Sequence, residues 1–255
     1  MNAMIFAAGL GTRLGAITSA KPKALVEVGG EPMLSRVILK LKNAGVSRMV
    51  VNVHHLADAI VCYLKANDNF GIDIRISDER ALLLDTGGGL LKARPFFDSN
   101  EPIVVHNADI LTDFDISRML DSHIESKADA TLLVADRRTS RYLLFDADRR
   151  MKGWKNVTTG EIRSPWPDIV SAEGIVPLAF GGVHIIKPSI FTKLERYSKS
   201  SKFSITPFYT DQCADLYIKG YTPEESFHWI DIGKPQSLIE AENIVSELRP
   251  IPLPE

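Results

Sequence analysis

The first half of the chain alternates short apolar runs with stretches of helical spacing, and that alternation limits its fold most strongly. Residues 3–8 read as a short buried strand ending at glycine, and Met33–Asn43 as a helix that stops at Gly45. Arg48–Val53 is a β-branched strand, and Ala57–Ala66 has helical spacing. Residues 72–76 alternate apolar and polar side chains, 102–106 are continuously apolar, and Ile116–Ser126 is again helical. Strands alternating with helices of about ten residues predict a parallel sheet with crossover helices.

The second half changes character. Ala130–Ala135, 142–145 and 178–186 read as strands with fewer helices between them. Residues 154–177 carry Pro165, Pro167, Pro177 and two tryptophans, Trp154 and Trp166. A connection this long in a compact domain usually covers a site or makes a contact, so a lid or a homodimer contact is expected here. Residues 204–214 predict a helix, 216–220 and 227–230 short strands, and 235–248 a closing helix with Pro235 at its start. Three prolines in 249–255 cannot continue that helix. The expected fold class is α/β: a Rossmann-like mixed, mostly parallel sheet flanked by helices. One domain is expected over 1–248, with halves 1–129 and 130–248 and a tail at 249–255.

Charge then restricts the partners. Among 255 residues, 30 Lys+Arg oppose 32 Asp+Glu, a formal charge of −2. That balance gives no footprint for nucleic acid or an anionic membrane, so neither is an expected partner. An anionic ligand must be held by a local site. Two cysteines, Cys62 and Cys213, make no disulfide framework and no CxxC pair. A zinc site from His54, His55 and Cys62 lacks a fourth ligand. The apolar start, residues 3–8, has no basic segment before it and leads into a glycine loop, so a signal peptide is not expected. The longest nearly uncharged apolar stretch, 176–186, is far short of a membrane span. A cytoplasmic protein is expected.

That local site begins at Gly9-Leu10-Gly11-Thr12-Arg13-Leu14-Gly15, directly after the first strand. Glycines at a strand end let backbone N–H groups approach phosphate oxygens. Open α/β sheets also bind ligands at the carboxyl ends of their strands. A dinucleotide fold wants its third glycine one place earlier and a carboxylate ending the second strand, where this chain has Asn52-Val53-His54-His55. A P-loop wants Gly-Lys-Ser/Thr, which is absent. A plain turn leaves Arg13 and the nearby Lys21-Pro22-Lys23 unexplained. Glycines, an arginine and a lysine together suit a triphosphate, with Arg13 and Lys23 neutralising charge as pyrophosphate leaves.

The run Ala7-Ala8-Gly9-Leu10-Gly11-Thr12-Arg13-Leu14, followed by Thr18 and Pro22-Lys23-Ala24-Leu25, resembles the signature of the sugar-1-phosphate nucleotidyltransferases. The resemblance covers essentially 1–248. It implies an enzyme that joins a nucleoside triphosphate and a sugar 1-phosphate, giving a nucleotide-sugar and pyrophosphate. It implies a nucleotide-binding first half and a sugar-binding second half. It also implies Arg13 and Lys23 as catalytic residues, and Ala8, Gly9, Gly11 and Thr12 as nucleotide contacts.

Two aspartates fit this chemistry. Asp109 follows the apolar strand in Val105-His106-Asn107-Ala108-Asp109, and Asp231 lies in Trp229-Ile230-Asp231-Ile232-Gly233. Either alone could cap a turn. Mg²⁺ typically takes one or two carboxylates and completes its octahedron with phosphate oxygens and water. The family's Asn/Gly-x-Asp and Trp-x-Asp-x-Gly segments supply its metal-binding aspartates, so the resemblance makes Asp109 and Asp231 the Mg²⁺ ligands and Asn107 a nucleotide contact. The nucleophile is already an anion, so no general base is required. The histidines are expected to be structural, with His106 the most plausible exception.

Asp85-Thr86-Gly87-Gly88-Gly89 reads either as a turn entering a helix or as a backbone platform for a base. The resemblance favours the platform, with Gly87 and Gly88 as contacts. Its Thr-Gly-Gly-Gly variant looks most like the bacterial N-acetylmuramate-1-phosphate uridylyltransferases, which favours UTP and a role in cell-wall recycling. It is also seen in mannose-1-phosphate guanylyltransferase-like proteins. Cytidylyl transfer fits the same fold, as does a regulatory subunit that senses nucleotide-sugar without catalysis. Gly182, in Phe180-Gly181-Gly182-Val183-His184, resembles the glycine that approaches the sugar. Trp229 could offer a ring to the sugar or belong to the core. Lys155 and Asn156 fall near a sugar-contacting Glu-Lys pair of some relatives, though the pair itself is absent.

Overall fold

Four strands of the first half build the parallel centre that the alternation predicts. The computed structural model describes residues 1–98, 100–170, 172–198 and 200–248. In the first half, β1 is Asn2–Phe6, β2 Glu27–Val28, β3 Glu31–Pro32, α1 Met33–Asn43, β4 Arg48–Val53 and α2 Ala57–Ala66. There follow β5 Asp73–Asp78, α3 Asp85–Ala93, β6 Ile103–Asn107, β7 Ile110–Thr112 and α4 Ile116–Ser126. The second half contributes β8 Ala130–Ala135, β9 Arg141–Phe145, β10 Met151–Asn156, β11 Ile162–Arg163 and β12 Val176–Ile186. It ends with α5 Ile190–Tyr197, α6 Ile205–Gln212, β13 Ile218–Tyr221, β14 Trp229–Asp231 and α7 Pro235–Ile244.

The main sheet runs β11-β10-β9-β12-β6-β1-β4-β5, with β8 and β13 branching from β12. β6, β1, β4 and β5 are mutually parallel. Residues 2–5 of β1 are almost wholly buried, as a central strand covered on both faces requires. α1 buries Leu34, Val37, Ile38 and Leu41, the i, i+3, i+4, i+7 stripe of a helix packed on a sheet. α4 starts at Asp115, whose side chain accepts the Ser117 N–H at 2.8 Å.

β12 joins the two halves. Its 11 residues pair antiparallel with β6, β8 and β9 in turn. The register against β8 shifts between Phe180 and His184. Gly182 lies in that irregularity at φ 71°, a left-handed value that a side chain would strain. The bend brings β12 beside the end of β6.

Residues 154–177 are not one open loop. They hold the end of β10, its antiparallel partner β11, a short turn of helix at Pro167–Val170 and the start of β12. Backbone pairing with β10 explains the order, because polar backbone groups there find partners in the ladder. The closing helix stops at Ile244, and the tail 249–255 lies outside the described residues. Among the described residues, no helix is long and apolar enough to cross a membrane.

Candidate active site

The site is assembled by a second, two-stranded sheet. β7 and β14 pair antiparallel, with Asp231 opposite Ile110, the residue after Asp109. Ile232 N–H donates to the Asp109 carbonyl at 3.0 Å and extends the ladder. Two aspartates from different halves of the chain are therefore neighbours through backbone pairing.

Lys23 enters from the other side. Ala24 and Leu25 are buried in the core and anchor the single 3₁₀ turn that carries it. Its ammonium is hydrogen-bonded to Asp109 and lies 3.6 Å from Asp231 Oδ1. Arg13 Nη2 is 4.0 Å from Asp231 Oδ2. Gly233 leaves the space in which these groups meet. A Cβ there would stand 2.6 Å from Arg13 Nη2, 2.7 Å from Asp231 Oδ1 and 2.9 Å from Lys23 Nζ. One ammonium within reach of two carboxylates marks a position that a divalent cation suits. Among the described residues no third Asp, Glu, His or Cys joins them. That donor set fits Mg²⁺, which takes one or two carboxylates and leaves its other positions to phosphate and water.

The glycine loop is braced from within. Thr18 Oγ1 and the Leu14 N–H both donate to the Gly11 carbonyl, at 2.8 and 2.9 Å. Gly9 and Thr12 are exposed beside it. At the loop's root, Asn52 Oδ1 accepts the N–H groups of Ala7 and Ala8, at 2.8 and 3.3 Å. Its Nδ2 donates to Glu79 Oε1 at 2.8 Å, and Glu79 Oε2 accepts the Leu84 N–H at 3.0 Å. The Ala8 N–H is thus directed inward, toward Asn52. Asn52 ends the second parallel strand, where a dinucleotide fold would carry its ribose-binding carboxylate; its role here is to hold the loop.

The glycines at 87–89 lie in the first turns of a helix. All three lie in α3, and the N–H groups of Gly87 and Gly88 both donate to the Phe203 carbonyl, at 2.9 and 3.1 Å. Their lack of side chains lets the segment before α6 pack onto α3. His106 is fully buried in the sheet, with Nδ1 against the Asn107 carbonyl at 2.8 Å. Burial pushes its pKa down to about 4, so it is a neutral core residue and does not face the site.

Beyond the aspartates, β12 and β10 frame the second half of the site. A Cβ on Gly182 would lie 2.9 Å from Asn107 Nδ2, so the glycine is needed for this approach. A cavity of about 610 Å³ is lined by Asp85 of α3, Arg137, Thr139, Asn156, Phe180 and Thr206, among others. Asn156 reaches it. Lys155, the preceding residue on β10, does not line it and lies 6.0 Å from the Tyr142 ring centroid. Trp229 does not offer an open ring. Its Nε1 donates to the Gly181 carbonyl at 2.8 Å, and Arg137 covers its ring at 3.7 Å. No sequence motif pointed to Arg137.

Comparison with known proteins identifies the family. The nucleotidyl transferase family profile matches residues 2–162, more than half of the chain. The chain is 33% identical to an N-acetylmuramate alpha-1-phosphate uridylyltransferase of Caulobacter vibrioides, over 96% of this chain and 97% of the relative. It is 28% identical to a UTP–glucose-1-phosphate uridylyltransferase of a Synechocystis strain, over 92% of this chain and 60% of that longer relative. Its fold matches a UDP-glucose pyrophosphorylase solved with UDP-glucose, with a TM-score of 0.74 at 20% identity, over 97% of this chain and 99% of that one. With its glycine loop, its paired aspartates and this breadth of likeness, the chain belongs to the nucleotidyl transferase family, among the sugar-1-phosphate nucleotidyltransferases.

Proposed function

We propose that this enzyme transfers a uridylyl group from UTP to N-acetylmuramate 1-phosphate, giving UDP-N-acetylmuramate and pyrophosphate. The observation that carries the choice is the near full-length likeness to the Caulobacter vibrioides uridylyltransferase. Guanylyl transfer to mannose 1-phosphate is the second reading, supported by a mannose-1-phosphate guanyltransferase of Pichia angusta at 26% identity.

The halves divide the work in this reading. The loop from Gly9 to Thr12 turns backbone N–H groups toward the triphosphate. Asn107 contacts the nucleotide, Gly182 and Asn156 face the sugar side, and α3 bounds the base. An oxygen of the sugar phosphate bonds to the α-phosphorus as the bond to the pyrophosphate oxygen breaks. Arg13 stabilises the charge that gathers on the leaving pyrophosphate. Lys23 holds the α-phosphate, released from Asp109 when substrate enters. Asp109 and Asp231 would hold Mg²⁺, which when bound supplies neutralising charge to the phosphates. Cys62 and Cys213 are free thiols, in keeping with a cytoplasmic protein. Exposed Val157, Ile162 and Val176 around β11 support a homodimer contact there, which light scattering tests.

The deciding experiment supplies each nucleoside triphosphate with a panel of sugar 1-phosphates and Mg²⁺, and measures pyrophosphate. Release with UTP and N-acetylmuramate 1-phosphate is expected. Release with GTP and mannose 1-phosphate alone would overturn the uridylyl reading.

A further inference from the structure

Arg137 follows β8, lines the cavity, and is close enough to Asp231 for that carboxylate to act on it. Its Nη2 donates to the Phe180 carbonyl at 2.7 Å, and its guanidinium lies close enough to Trp229 to place Cζ 3.7 Å from the ring centroid. Its buried Nε has no hydrogen-bond partner among the described residues. No carboxylate there lies within ion-pair distance of it, in contrast to Arg13 and Lys23. Burial lowers its pKa, and the more distant Asp231 carboxylate opposes that effect. A cation removed from water without a close counter-ion is unfavourable, so a ligand anion is the natural partner.

The strand geometry says which anion. Side chains on a strand return to the same face every two residues, after about 7 Å. Trp229 and Asp231 therefore share a face of β14, and Arg137 lies on that face. The same cavity is lined by the neutral Thr139, Asn156 and Thr206, suited to sugar hydroxyls, and by Arg141, Glu161, Arg163 and Asp85. Of its arginines, Arg163 lies 2.6 Å from the Glu161 carboxylate, whereas Arg137 has no such partner among the described residues and feels Asp231. Arg137 thus separates a polar sugar pocket from the paired aspartates. In a sugar 1-phosphate, the group between the ring and the reacting centre is the phosphate. A guanidinium locked on an indole presents a fixed edge of N–H donors, which matches phosphate oxygens.

We propose that Arg137, held on the Trp229 ring, binds the phosphate of the acceptor sugar and aims its oxygen at the α-phosphorus. This rests on the nucleotidyltransferase reading of the site, though on no particular base or sugar.

The test compares Arg137→Met and Arg137→Lys with the unaltered enzyme, using the sugar 1-phosphate that the pyrophosphate panel identifies. The Met variant is expected to raise KM for that ester at least tenfold and leave KM for the nucleotide within twofold. The Lys variant recovers part of the loss. Calorimetric titration with N-acetylmuramate 1-phosphate and with phosphate-free N-acetylmuramate separates contact from misfolding: only the ester loses affinity. Unchanged KM for the ester, or equal loss for ester and free sugar, overturns the assignment. Loss confined to sugars bearing a carboxylate overturns it too, because Arg137 would then read that group. If the unaltered enzyme turns over no pair, nucleotidyl transfer itself fails, and the titrations still decide whether Arg137 holds a phosphate ester.

Discussion

The carbonyl of Asp109 accepts the backbone N–H of Ile232 at 3.0 Å, so the segments that carry Asp109 and Asp231 are joined by main chain. The carboxylates of Asp109 and Asp231 are consequently fixed by the β7–β14 ladder and not by each other. Lys23 then neutralises a pair that would otherwise repel. Because the ladder does not depend on either side chain, function and folding should separate cleanly here.

Asp109→Ala is therefore expected to remain folded while losing at least about a hundredfold in turnover, the scale of one lost electrostatic group in an active site. Asp231 still lies 3.6 Å from Lys23, so the lysine keeps a partner. Pyrophosphate release and a melting curve, run together, check both halves. Chelation by EDTA should abolish release in the unaltered enzyme, and added Mg²⁺ should restore it. A variant that keeps its turnover would move the metal elsewhere.

Gly233→Ala is expected to act on the same site by sterics alone. The added methyl would meet Arg13, Asp231 and Lys23 at 2.6–2.9 Å. The flexible ends of Arg13 and Lys23 can withdraw, so stability should change by no more than about 1 kcal/mol. Turnover should fall, because the withdrawn groups are those that neutralise the phosphates. Kinetics beside urea denaturation measure the split. Loss of both together would mean that the glycine serves the fold.

Asp109 and the glycine loop could be placed together from sequence because each follows a strand of the parallel sheet, whose carboxyl ends share one edge. Asp231 ends β14, which pairs antiparallel with β7 in a separate sheet, so only the motif around it marked it. The packing role of Gly87 and Gly88 was hidden for the opposite reason. Their partner is the Phe203 carbonyl, far along the chain, and nothing local distinguishes a helix shaped for that contact from a turn. Arg137 was illegible because its position derives from Trp229 and Phe180, which only the β8–β12–β14 arrangement brings near. Asn52 was visible at a strand end, yet its amide partners, Ala7, Ala8 and Glu79, follow from strand register.

Acid should weaken the fold through three buried histidines. Burial lowers His106 and His123 to about 4 and His184 to about 3, from about 6.5. Each has at least one ring nitrogen without a partner among the described residues. The unfolded chain takes up these protons first. Their contribution is complete above pH 6.5 and is lost as pH falls toward 4, at about 1.4 kcal/mol per tenfold difference in proton affinity. The urea midpoint should therefore drop between pH 7 and pH 5. His184→Phe, between the Phe180 and Tyr209 rings, should flatten that drop. An identical pH profile in the variant would remove His184 from the account.

Asn52 supports the glycine loop through both ends of its amide, and two substitutions separate them. Asn52→Ala leaves the Ala7 and Ala8 N–H groups and Glu79 Oε1 without this partner, at a cost of roughly 2–4 kcal/mol for buried polar groups. Asn52→Asp keeps the acceptor for Ala7 and Ala8 but sets a second carboxyl 2.8 Å from Glu79, where the amide donor stood. Glu79 is wholly buried, so the two cannot both ionise and one must hold a proton. A carboxyl whose folded pKa is raised contributes most below its unfolded pKa, and that contribution is lost as pH rises. Asn52→Asp should thus be more destabilised at pH 8 than at pH 5, and by a wider margin than Asn52→Ala, which adds no carboxyl. Both should raise KM for the nucleotide, since the loop loses its brace. Urea denaturation at the two pH values, with nucleotide kinetics on each variant, decides it. Matching pH behaviour of the two variants would mean that the introduced carboxyl does not meet Glu79.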